Sequence, residues 1–248
     1  MITYNYGNSH SPITLLQMVG DHDLPGIENE IREIHRLTDQ EFAFVAVKVE
    51  NWNHDLSPWN APAVFGTEDF GDGAENTLEE VLQLCTDNDR KYCIGGYSMA
   101  GLFALWAAMQ TDRFKGVAAT SPSVWFPGFL EDMKRRRVES DCIYLSLGDK
   151  EEKTRNPVMA QVGMLGLFRQ SQPENQIRRA VSAENPRFGH SLRLAQRLSQ
   201  CAAERIGVLI RLKRRLADGA RHRFRHAQRA DVRRKIQSVM SVSFPIAD

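Results

Sequence analysis

The 248-residue chain predicts an α/β fold, a doubly wound and mostly parallel sheet with helices on both faces, on three observations. Apolar runs of strand length alternate with helix-period segments. The runs are apolar on consecutive positions, as strands buried on both faces require. One helical stretch, residues 99–109, is apolar nearly all round, as a helix packed inside a layered core would be.

ITLLQMV (13–19) is the first such run, rich in β-branched and large apolar residues, and ends at a Gly. IENEIREIHRL (27–37) repeats Ile at i, i+4 and i+7, an amphipathic helix. FAFVAVKV (42–49) is the next strand. ENTLEEVLQLC (75–85) has an Asn-Thr start and acids in its first turn, which predict a helix there. YCIGG (92–96), the helix MAGLFALWAAM (99–109), VAAT (117–120) and CIYLSLG (142–148) continue the alternation.

With 42% apolar and 25% charged residues the chain has the composition of a globular protein with one large core. No stretch approaches 18 apolar residues, and MITYNYGNSHSP lacks the basic start and apolar core of a signal peptide, so a cytoplasmic location without membrane association is expected. Cys85, Cys93, Cys142 and Cys201 are dispersed, with no C-x-x-C pair. A zinc site or disulfide framework is not expected, and the thiols should be reduced and mostly buried.

The net charge of +1 hides a division. Residues 1–163 hold 14 Lys and Arg against 25 Asp and Glu, a net of −11, whereas residues 164–248 hold 18 against 6, a net of +12. In the second part 16 of the 18 cations are Arg, and Trp and Tyr are absent. The chain therefore divides into an α/β unit, 1–163, and an Arg-rich C-terminal segment, 164–248.

Ser98 stands in Gly96-Tyr97-Ser98-Met99-Ala100, with a strand pattern leading in and a helix pattern leading out. A nucleophile elbow needs this arrangement: small residues two before and two after the serine let strand and helix approach, and the helix N-terminus favours an anion beside the hydroxyl. The plainer alternative is a serine capping a core helix after a Gly-rich turn. An oxyanion hole needs two backbone donors, here the Met99 and Asp21 N–H groups, the second from the Gly20-Asp21-His22-Asp23 loop after the first long strand. His22 itself reads as an exposed loop histidine, because the base of such a triad follows the acid in chain order. The acid is expected after CIYLSLG, in Asp149-Lys150-Glu151-Glu152; the spacing strand, Gly, two residues, acid selects Glu151, with Asp149 the first alternative and Glu152 the second.

NWNHDLSPWNAPAVFG (51–66), FGDGAENTLEEVL (70–82), GGYSMAGLFALW (95–106), SPSVWFPGF (121–129) and YLSLGDKEEKTRNPVMAQVG (144–163) together resemble the serine esterases of the α/β-hydrolase superfamily, the group that includes esterase D and enterochelin-esterase-like enzymes. The resemblance covers residues 10–163. It implies that Ser98 is the nucleophile, that the acid lies in GDKEE, and that DLSPW walls the site. It further implies cleavage of small-molecule carboxylic esters through an acyl-enzyme with no metal or organic cofactor. Trp52, Trp59 and Trp125, with Phe126, are candidates to shape an aromatic mouth, although core packing is the commoner role for such residues.

Beyond Gly163 the resemblance stops. It would continue with a helix, a final strand and a loop like N-P-G-N-H-F carrying the base, whereas this chain reads MLGLFRQSQPENQIRRAVSAENPRFGHSLRLAQRL. His190, in NPRFGH, is the histidine near the expected distance, and no strand pattern is evident before it. His222 and His226, at i and i+4, read as a solvated basic helix face rather than a metal pair. An Arg-dominated segment without Trp or Tyr is what GC-rich coding sequence gives when read out of frame. On that account residues 164–248 lack the terminal strand and base, and the chain should hydrolyse esters poorly. The other accounts are a basic appendage binding nucleic acid or an anionic surface, and a divergent completion of the site by His190.

Overall fold

The computed structural model describes residues 1–35, 40–148, 156–160 and 177–182. Seven strands form one sheet: β1 (Ile2–Gly7), β2 (Ile13–Val19), β3 (Ala43–Lys48), β4 (Lys91–Tyr97), β5 (Phe114–Thr120), β6 (Cys142–Gly148) and β7 (Ile177–Ser182), in the order β1-β3-β2-β4-β5-β6-β7. The helices are α1 (Ile27–His35), α2 (Trp52–Asp55), α3 (Ala74–Gln83), α4 (Met99–Gln110) and α5 (Phe129–Arg135). All pairings are parallel except β1 with β3, which is antiparallel. The mostly parallel, doubly wound sheet read from the sequence is the sheet observed.

Consecutive residues of the central strands enter two cores on opposite faces. Leu15, Val19, Phe44, Ala46, Cys93, Ala118 and Tyr144 pack with Ile27 and Ile34 of α1 on one face. Leu16, Met18, Val47, Ile94, Val117, Ala119, Ile143 and Leu145 pack with α3 and α4 on the other. This two-sided burial explains why the strands read as continuous apolar runs. It also explains why α4 has ten buried residues and no polar stripe. Cys85, Cys93 and Cys142 are buried and not joined in disulfides, and burial pushes the Cys85 and Cys93 thiols up to about 12.

Three sequence expectations are corrected. β1 was not foreseen: TYNYG alternates rather than running apolar, as suits an edge strand with one face toward solvent. α3 starts at Ala74 after Gly73, without the Asn-Thr start; Thr77 Oγ1 instead donates to the Asp55 carbonyl at 2.8 Å. Most consequentially, a further strand does follow CIYLSLG. IRRAVS forms β7 beyond Gly163, in parallel register with β6 from Ile143↔Ile177 to Gly148↔Ser182. Its two adjacent Arg residues interrupt the apolar pattern and concealed it; among the described residues β7 is the last strand of the sheet.

Candidate active site

The strand order fixes where a site can form. β2 connects outward to β3 on one side, and β4 connects to β5 on the other, so β2 and β4 are neighbours whose chains depart in opposite directions. The carboxyl ends of two such strands open a crevice between their loops. Gly20–Asp23 follow β2 at this crevice, Ser98 follows β4, and Ser121–Gly128 follow β5 next to it.

Ser98 joins β4 to α4 with φ 57 and ψ −119, a left-handed backbone that a non-glycine residue rarely adopts. The local sequence permits it. A Cβ on Gly96 would lie 2.4 Å from the Ala100 carbonyl carbon and 2.5 Å from its Cβ, so strand and helix meet here only because position 96 has no side chain. Position 100 is Ala for the same reason. The Ser98 N–H donates to the Thr120 carbonyl at 3.1 Å, while its carbonyl accepts from Leu102 N at 3.0 Å and Ser123 N at 3.1 Å. Ser98 is half-buried and has no side-chain bond to the helix, which sets aside the capping alternative. Its Oγ lies 3.1 Å from Ser123 Oγ.

The Met99 and Asp21 amides have no acceptor among the described residues, consistent with donors kept for a ligand. The β2 loop is pinned by its side chains instead. Gly20 N donates to Asp23 Oδ2 at 2.9 Å, and Asp21 Oδ1 pairs with Lys48 Nζ at 3.1 Å. His22 is 72% exposed, its ring set edge-on to Trp52 and its Nε2 3.3 Å from Asp23 Oδ2. It is the exposed loop histidine that the sequence suggests.

The candidate aromatic residues divide. Trp52, on α2, is half-buried beside His22 and the Gly20 turn. Trp59 donates from Nε1 to the Pro127 carbonyl at 2.9 Å and packs on Phe126 and Phe129. Trp125 is buried against Phe65 and Phe70, and Phe65 is half exposed. Trp59 and Trp125 thus belong to an aromatic cluster that ties the loop after β3 to the loop after β5. Asp149, Glu151, His190, His222, His226 and Cys201 lie outside the described residues; Gly148, which ends β6, directly precedes Asp149 in sequence.

Sequence reasoning missed Ser123. SPSVW was read only as part of a resemblance, although a polar side chain 1% exposed beside a candidate nucleophile has a role to be explained.

No family model and no curated protein matches the chain. Solved structures do. Maize acyl-protein thioesterase 2 is similar at 13% identity and a TM-score of 0.51, over 82% of this chain and 99% of that one. Siderophore hydrolase EstA from Aspergillus nidulans is similar at 17% identity and 0.47, over 69% and 76%. Est1E from Butyrivibrio proteoclasticus is similar at 14% identity and 0.48, over 83% and 94%. Together with the strand order and the elbow at Ser98, the likeness to the maize structure gives the chain the α/β-hydrolase fold.

Proposed function

We propose that the chain hydrolyses carboxylic esters through Ser98. The observation that carries this is the backbone of Ser98 itself: a strained, non-glycine turn between β4 and α4, at the crevice the strand order opens. The names of similar structures, among them a siderophore hydrolase and an acyl-protein thioesterase, agree with acyl transfer as the reaction class.

Ser98 Oγ attacks the ester carbonyl while a base removes its proton, since a serine hydroxyl is too weakly acidic to react unaided. Charge on the carbonyl oxygen is met by the Met99 and Asp21 N–H groups, each contributing about 3 to 4 kcal/mol to the transition state. The base returns the proton to the leaving alcohol, and water repeats the sequence on the acyl-enzyme. His190 is proposed as the base, with Glu151, or alternatively Asp149, orienting it. The chain order serine, acid, histidine supports this assignment, as does β7, which ends eight residues before His190. Trp52, Trp59 and Trp125 are proposed to bound the acyl or alcohol side, the substrate being a small-molecule ester.

Ser98→Ala should abolish hydrolysis of a short-chain aryl ester, a loss of about a thousandfold or more, with the thermal melt unchanged. A variant keeping a tenth of the activity would exclude Ser98. The +12 charge of residues 164–248 supports a second reading, an inactive hydrolase-like unit whose tail binds nucleic acid or anionic surfaces. Salt-sensitive retention on DNA by a chain in which Ser98 is inert would favour it.

A further inference from the structure

The three polar groups of Ser98 are all held by one short stretch. Its N–H reaches the Thr120 carbonyl, its carbonyl accepts from Ser123 N, and its Oγ meets Ser123 Oγ, each at 3.1 Å. The chain returns to Ser98 because Ser121 takes φ 43, a second non-glycine residue in the left-handed region. Pro122 then rests on the start of α4: a Cβ on Gly101 would be 3.2 Å from Pro122 Cα. Ser123 is 1% exposed, so its hydroxyl is withdrawn from bulk water where it meets the half-buried Ser98.

We propose that Ser123 is a positioning residue for the nucleophile, donating its O–H to Ser98 Oγ. The proposal rests on Ser98 being the nucleophile. A hydroxyl carries one proton and two lone pairs. With Ser123 as donor, one lone pair of Ser98 Oγ is engaged, the other is free to attack, and the Ser98 proton is free to leave toward the base. The opposite polarity would hold that proton away from the base and slow the reaction. During attack the Oγ–H bond breaks to the base, the Oγ–C bond forms, and the carbonyl π pair moves to oxygen. The Ser123 O–H stays intact throughout. Its hydrogen bond is strongest while Oγ carries developing negative charge, and weakens once Oγ is an ester oxygen, so it favours the transition state over the acyl-enzyme.

The test uses the full-length protein with Ser123→Ala and Ser123→Cys. It reads the second-order rate of fluorophosphonate labelling, mapped to the Ser98 peptide, together with kcat and KM for p-nitrophenyl acetate. Cys fills the buried volume of Ser but donates poorly. Both variants should label about tenfold more slowly and lose kcat by a similar factor, with KM within about twofold and thermal melts near that of the parent. Labelling at or above the parental rate in Ser123→Ala would overturn the role. So would full recovery in Ser123→Cys, which would make Ser123 a space-filler; should Ser123→Ala fail to fold, Ser123→Cys alone decides. Absence of label on Ser98 in the parent protein is a different failure, which removes the nucleophile assignment and this role with it.

Discussion

At Gly96 the requirements of packing and of chemistry fall on one atom. The site needs Ser98 at a sharp turn, the turn needs β4 and α4 in contact, and the contact leaves no room for a Cβ: 2.4 Å to backbone, where a flexible side chain could not give way. Gly96→Ala should therefore destabilise the fold by about 1 to 3 kcal/mol, read as a shifted urea midpoint at unchanged slope. It should also lower ester hydrolysis more than the fraction unfolded accounts for, because relief of the clash moves Ser98. An unchanged midpoint would mean that strand and helix separate freely. This constraint was legible in the sequence, since small residues two before and two after a serine have few other uses. Ser123 was not, because its part depends on a fold-back through Ser121 that no periodicity announces.

The elements show where reading by pattern succeeds. β2 and β6 begin and end as their apolar runs do, because burial on both faces leaves no position free to vary. β5 starts at Phe114, three residues before the VAAT core of its pattern, since Lys115 interrupts an otherwise apolar run. β1 and β7 escaped detection for a common reason: each stands at an end of the sheet among the described residues, and each carries polar residues that imitate a loop. With β7 in place, β6 is flanked by β5 and β7 and ends at Gly148, just before the candidate acids in sequence. Glu151→Gln and Asp149→Asn should differ. The carboxylate that orients the base should cost at least about a hundredfold in kcat/KM when made neutral, whereas the other, a solvated turn charge, should cost little. Equal small losses in both would remove the acid assignment and point to a Ser-His dyad.

For the whole molecule, the question is whether one chain completes one site across its compositional divide. The boundary at Gly163 is sharp in charge, −11 before and +12 after, yet the sheet crosses it, since β7 pairs with β6 at six successive positions. β7 thus extends the sheet past the charge boundary at Gly163, and translation of the other two frames downstream of Gly163 tests the reading-frame account directly. His190 then decides between the accounts. It follows β7 by eight residues, a span of chain long enough to return from the sheet's outer strand toward β4. A working base must come within about 3 Å of Ser98 Oγ when substrate is bound. His190→Ala in the full-length protein should lose about a thousandfold or more in ester hydrolysis while leaving the thermal melt unchanged, and a chain ending at Ser182 should lose as much. Activity indifferent to His190→Ala would exclude it as the base. Should a parent chain that hydrolyses esters only weakly accompany that result, translation of the other two frames downstream of Gly163 ought to show a strand followed by a Gly-Asn-His-like loop, and a chain rebuilt with that loop ought to gain the activity that His190 did not supply.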